Sequence, residues 1–164
     1  MIETIIYLLI LLELVFVGTI DIKFKKISNY WSLIHLFTAI IFYFKLRYIY
    51  PFSWEIFIFP GIFLIGGFIL FLLNIMGAGD SKFLATLFLI IPLEYHLLFM
   101  EKIILSTMIT GGLLVLLRMI KSIETLGSYL ISGYWFGLKS MMKSSFSFAP
   151  VVAVAWILLG LHLW

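Results

Sequence analysis

Apolar residues run through this chain in six blocks parted by short polar segments. A bilayer core of about 30 Å takes roughly 20 helical residues, and most of the blocks approach that length. The first is Thr4–Ile20, broken by a single acid, Glu13. A basic loop from Lys23 to Asn29 leads to the second, Tyr30–Phe44. The third, Ile56–Met76, is the least interrupted, and Pro60 and Gly66-Gly67 are expected to bend or thin it. The fourth, Phe83–Leu93, is short and extendable past Pro92 to Met100; the fifth, Ile103–Ile120, carries Gly111-Gly112 at its middle. A polar, glycine-containing stretch, Lys121–Ser145, precedes the sixth block, Phe146–Trp164. Within it, Tyr129–Phe136 is aromatic enough to lie along a membrane interface, or it is a plain loop. In lipid a backbone must satisfy its own polar groups, so blocks of this kind predict helices. The expected fold is an all-α polytopic membrane protein of about six transmembrane helices in one domain, residues 1–164.

Composition supports that expectation. Hydrophobic residues make up 64% of the chain and charged residues 12%, against about 25% charged in soluble domains. There is no cysteine, which removes disulfides, thiolate metal sites and cysteine nucleophiles together. His35, His96 and His162 lack metal-ligand spacing and read as interfacial or core residues. No metal, cofactor or nucleic acid is expected. The first block follows Glu3 rather than a basic segment and has no small-residue cleavage site after it, so it is expected to be retained. Aromatics near the block ends (Trp31, Tyr48, Tyr50, Trp54, Trp135, Trp164) suit interfacial belts, and the glycine pairs suit close helix packing.

The charge pattern orients the helices. With six spans, Lys23, Lys25, Lys26, Lys82, Arg118, Lys121, Lys139 and Lys143 fall on one side, and Lys45, Arg47 and Lys102 on the other. The positive-inside rule makes the richer side cytoplasmic, with both termini outside. The same topology puts two acids at the cytoplasmic end: Asp21, closing the first block, and Asp80, in Gly77-Ala78-Gly79-Asp80 before the fourth.

An ionisable side chain at such a place is costly and points to function. Two carboxylates that share a site cannot both ionise cheaply, so the pair tends to hold one proton. The ionised partner can then take a proton from water while the protonated partner polarises a carbonyl. Gly77 and Gly79, lacking Cβ, are expected to allow unusual backbone angles and close approach of another chain near Asp80. The plainer role for Asp80 is a cap on the helix that follows it.

Asp21-Ile22-Lys23-Phe24-Lys25-Lys26-Ile27-Ser28-Asn29 resembles the first aspartate motif of type IV prepilin peptidases. Met76-Gly77-Ala78-Gly79-Asp80-Ser81-Lys82 is similar to their second, and Phe148-Ala149-Pro150 to an aromatic-small-Pro segment near the last span. The resemblance covers nearly the whole chain. It implies an intramembrane aspartyl endopeptidase that cuts prepilin-like substrates at the cytoplasmic membrane face. Asp21 and Asp80 carry over as the catalytic pair, Gly77 and Gly79 as motif glycines, and Asn29 and Lys82 as matching positions in support. Ser28 and Ser147 stand where the family often has proline. Bifunctional members carry a further cytoplasmic segment with paired cysteines that serves methylation. Here only the eight residues Ile22–Asn29 separate Asp21 from Tyr30, so no methyltransferase or zinc-binding segment is expected, and the chain looks like the short, peptidase-only branch serving Tad-type or archaeal pili.

Other residues carry weaker expectations. Glu13 lies about 12 Å along a helix from Asp21 and roughly 80° around it, too far for a direct partner. It is either a buried structural carboxyl or part of a substrate or proton path. Lys82 reads first as a topology-setting flank, as does the run Lys23–Lys26, which meets lipid head groups. Two other functional classes remain open. One is a different G-x-G-D intramembrane protease, although those carry Tyr-Asp where this chain has Ile20-Asp21. The other is a small transporter or assembly component that uses the acids for protons, although no internal repeat is evident.

Overall fold

The structure is a computed structural model and describes residues 2–73, 76–132 and 147–163. It is all-α, with six helices among the described residues: α1 (Ile2–Phe24), α2 (Asn29–Lys45), α3 (Ile58–Leu72), α4 (Ala78–Ile90), α5 (His96–Ser132) and α6 (Ala149–Leu163). Short 3₁₀ turns, Trp54–Phe57 and Leu93–Tyr95, precede α3 and α5. Among the described residues, three stretches are long and apolar enough to cross a membrane: Thr4–Phe24, Trp54–Leu72 and Leu93–Leu113. The chain is a membrane protein. Outward faces of α1 and α3 carry large apolar side chains such as Leu9, Leu12, Ile65 and Phe68, more than half exposed, as lipid-facing surface should.

The local chemistry explains where helices start and stop. Ser28 accepts from the Tyr30 N–H and caps α2, so the serine standing in place of a proline supplies a helix start. The third predicted block is a continuous helix from Ile58, with Pro60 in its first turn, where a missing N–H removes no intrahelical bond. Pro60 therefore sits at the helix start and breaks none of its hydrogen bonds. The fourth block does not continue past Pro92: α4 ends at Ile90, and the extended Ile91 before Pro92 turns the chain toward α5. The fifth helix starts earlier and ends later than the apolar block, running through Ser132. The first part of the polar stretch 121–145 is thus helical, while residues 133–146, including the second half of Tyr129–Phe136, lie outside the described residues.

The helices pack as two groups of three. In one, α4 lies against both α2 and α3; in the other, α6 lies against both α1 and α5. Helix α4 is the most enclosed, with Phe83, Leu84, Leu87 and Phe88 fully buried. In the second group Tyr7 and Trp156 stack with ring centres 5.3 Å apart. Each also donates to the other's backbone carbonyl at 3.1 Å, and Ser106 donates to the Val151 carbonyl at 2.7 Å. Ring contacts join the groups at one end, where Phe88 of α4 lies 5.4 Å from Phe99 of α5.

The glycine pairs behave unequally. A Cβ on Gly67 would overlap the Ser81 side chain of α4, whereas Gly66, Gly111 and Gly112 have nothing within 4 Å. Close approach is thus the role of Gly67 alone among these four. Gly67→Ala is expected to destabilise the protein by about 1–3 kcal/mol through overpacking, and Gly66→Ala to be neutral or stabilising by up to about 1 kcal/mol from helix propensity. Thermal unfolding of both variants in one detergent checks the contrast.

Candidate active site

Asp21 lies in the last turn of α1 and is 3% exposed. The helix ends just beyond it, at Lys25, the one non-glycine residue with positive φ (53°) among the described residues, whose N–H donates to the Asp21 carbonyl at 2.8 Å. The start of α6 meets this end. The Ala149 N–H donates to Asp21 Oδ2 at 3.1 Å, and the Ser147 hydroxyl donates to the Asp21 carbonyl at 3.3 Å. Lys25 Nζ donates in turn to Ser147 Oγ at 2.6 Å. Asp21 is thus held by the group α1–α6–α5. The Phe148-Ala149-Pro150 segment supplies a backbone donor to the carboxylate. Pro150 stands in the first turn of α6, where proline is tolerated.

Asp80 lies in the first turn of α4 and belongs to the other group. The Gly77 N–H donates to its Oδ2 at 3.2 Å, so Asp80 does cap its own helix. It does more than that. Burial first and the negative charge of Asp21 second raise its pKa, to about 6 in all, against the opposing effect of the Gly77 hydrogen bond. A solvated cap would feel neither burial nor a second carboxylate. The ends of α1 and α4 therefore bring the two acids within electrostatic reach of each other.

The glycines work through space rather than through backbone angles. Gly77 has ordinary extended dihedrals, φ −73° and ψ 143°. At Gly79 an added Cβ would lie 2.7 Å from the Ile27 carbonyl oxygen, so α4 meets the α1–α2 loop at a distance only glycine allows. Close approach of another chain segment is the property the motif uses.

A groove of about 880 Å³ opens beside Asp80, lined by Ile20, Phe24–Tyr30, Leu33, Gly77–Asp80 and Lys82. Asn29 and Lys82 both line it, Lys82 two residues after Asp80 and Asn29 at the start of α2. Lys25 and Lys26 add positive charge. Asp21 is packed behind this surface rather than on it. Of the site residues named from the sequence, the groove thus gathers Asn29, Gly77, Gly79, Asp80 and Lys82, while Asp21 does not line it. Two participants escaped sequence reasoning. The Ile27 carbonyl leaves no mark in the sequence. His35 was grouped with core histidines, yet its Nε2 lies 2.7 Å from Glu13 Oε1. A histidine and an acid on adjacent apolar helices are the signal that pairs them. Among the described residues no cluster of His, Asp or Glu could hold a metal.

An all-α membrane bundle with Asp80 on a glycine-walled groove and a second carboxylate, Asp21, buried in the other helix group has the makings of a class: intramembrane proteins equipped for aspartyl acid–base chemistry. A sequence model of the type IV leader peptidase family matches residues 7–117, about two thirds of the chain, including both acids, and the chain belongs to that family. Its members are aspartic prepilin peptidases, and the chain is an aspartic endopeptidase of that type. No curated protein and no solved structure matches it.

Proposed function

We propose that the protein removes the leader peptide from prepilin-like membrane proteins at the cytoplasmic face of the membrane, with Asp21 and Asp80 acting as one pair. The observation that supports this reading most is Asp80 on the wall of a glycine-lined groove, its pKa raised by burial and, second, by the charge of Asp21. Asp80 holds the shared proton and polarises the scissile carbonyl. Asp21, whose Oδ2 accepts from the Ala149 N–H, takes a proton from the attacking water. The new C–O bond forms as the carbonyl becomes a tetrahedral diol. Its collapse breaks the C–N bond, and the leaving amine takes a proton from the pair. The groove beside Asp80 admits an extended segment of substrate, and the apolar run that follows the leader lies in the bilayer beside it. The count of basic residues on the two sides supports a cytoplasmic site. The single domain, residues 1–164, is a peptidase without a methyltransferase segment.

The pH dependence follows from the proton assignment. Asp80 is protonated below about 6 and loses its proton as pH rises through that value. kcat/KM is therefore expected to fall on the alkaline side, approaching tenfold per pH unit, with an apparent pKa near 6 that belongs to the pair. Cleavage of a purified prepilin by the enzyme in lipid nanodiscs, measured from pH 5 to 8.5, checks this. A rate that rises through that range would assign the proton otherwise. Co-expression of a prepilin with the chain tests the function itself: processed pilin is expected, and an unprocessed precursor beside correctly inserted enzyme would reject the reading.

A further inference from the structure

One buried polar cluster lies outside the proposed chemistry. Glu13 of α1, His35 of α2 and Thr86 of α4 form a chain of hydrogen bonds across three helices. His35 Nε2 is 2.7 Å from Glu13 Oε1 and its Nδ1 is 3.2 Å from Thr86 Oγ1. His35 is 1% exposed and Thr86 8%. Thr86 has one hydroxyl proton, and the Lys82 and Phe83 carbonyls at 2.9 and 3.1 Å compete for it. The threonine oxygen therefore accepts from His35 Nδ1–H, which fixes the tautomer by elimination. His35 Nε2 and Glu13 then share one proton. Whichever of them holds it, the pair carries no uncompensated charge into the bilayer.

The place of this chain in the fold gives it meaning. Asp21 is held by the group α1–α6–α5 and Asp80 by the group α2–α4–α3, and neither α1 nor α4 has the other as a principal packing partner. The spacing between the acids therefore depends on what joins the two groups. Gly79 against Ile27 is one such contact, and the Glu13–His35–Thr86 chain is a directional one. The His35 ring also packs 5.0 Å from Phe83, three residues after Asp80 and so one turn along the same helix face.

Building on the peptidase reading, we infer that His35, held between Glu13 and Thr86, is a positioning residue that sets the approach of the Asp80 helix to the Asp21 helix. It touches neither acid and needs no proton exchange with them. Polar bonds suit the task because an apolar contact would let the helices slide, whereas buried hydrogen bonds specify one arrangement.

The test has two arms. In the first, nitroxide labels at Ile20→Cys and Ala78→Cys, both lining the groove, report the spacing between α1 and α4 in a chain with no cysteine of its own. One narrow distance distribution is expected, widening or shifting in Thr86→Val and His35→Phe backgrounds. This readout needs no substrate, so it stands even if the peptidase reading fails. The second arm is kinetic. His35→Phe and Thr86→Val are expected to lower kcat toward about 10²-fold, the cost of a misplacement near 1 Å, with little change in KM. Glu13→Leu does the same, while Glu13→Gln, whose amide can still donate to His35 Nε2, restores most of the loss. The alkaline limb of the pH profile should also move to lower pH as the charge of Asp21 acts less on Asp80. The other charged groups around Asp80 are Lys25 and Lys26 beyond α1 and Lys82 on α4; α3 contributes none, and α2 brings only Asn29, Tyr30 and Leu33 to the groove, none of them charged. Thr86→Val, which preserves side-chain shape, keeps the test open if His35→Phe misfolds. An unchanged distance distribution together with wild-type kcat and pH limb in the folded variants would overturn the inference.

Discussion

Replacing either Asp21 or Asp80 by asparagine is expected to abolish leader cleavage while the chain still folds and inserts. Asparagine keeps the shape of aspartate and one acceptor oxygen. It can still accept from the Ala149 N–H at position 21 or from the Gly77 N–H at position 80, the two bonds that tie these side chains into the fold. What it loses is the ability to take up or give a proton. General acid–base catalysis is worth roughly 10²–10⁴-fold per group, so either variant should fall near the limit of detection in a co-expression assay. The acids act as a unit, and losses within a unit are not additive. The double variant should therefore be little worse than either single one. Normal processing by both single variants would remove the proposed pair. Loss in one variant alone would leave a single essential acid and reject the pair.

Gly79→Ala is the second large effect expected. Its Cβ would lie 2.7 Å from the Ile27 carbonyl oxygen, and a backbone oxygen cannot rotate away as a flexible side chain could. The start of α4 must shift or the α1–α2 loop must open, at about 1–3 kcal/mol of overpacking. The catalytic cost is larger, because Asp80 is the next residue and a displacement near 1 Å can cost about 10²-fold. Gly77→Ala is the informative comparison. Its Cβ would lie 3.1 Å from Asp80 Oδ2, an atom at the end of a rotatable side chain, and its backbone dihedrals suit any residue. A milder loss is expected there. Initial cleavage rates and thermal midpoints for the two variants separate the catalytic effect from the effect on stability. Equal activity in both would mean that the approach of α4 to Ile27 has no part in the site.

Much of this site was legible in the chain because its costs are local. A carboxylate at the edge of an apolar run stands out whatever the tertiary fold, and Asp21 and Asp80 each do so. The six helices were legible for the same reason, since apolar blocks in lipid have few alternatives to a helix. Helix ends were less so. Capping by Ser28, the halt at Ile91 before Pro92 and the extension of α5 into a polar stretch turn on a few residues each, weak beside the hydropathy of a whole block. The reason for Gly79 was hidden, since it lies in a carbonyl fifty-two residues earlier. His35 shows how far such a reading goes. A histidine on an apolar helix is most often core, and His35 is core. Its link to Glu13 and Thr86 becomes visible only when three helices are assembled.

The central claim is that Asp21 and Asp80 form one coupled pair. Isotope-edited infrared titration of the Asp80 carboxyl, in wild type and in Asp21→Asn, tests it most directly. Wild-type Asp80 should titrate near 6, and removal of the Asp21 charge should lower that value while leaving it above an ordinary carboxylate, because burial remains. The same Asp80 titration in both proteins would mean that the two acids do not share a site.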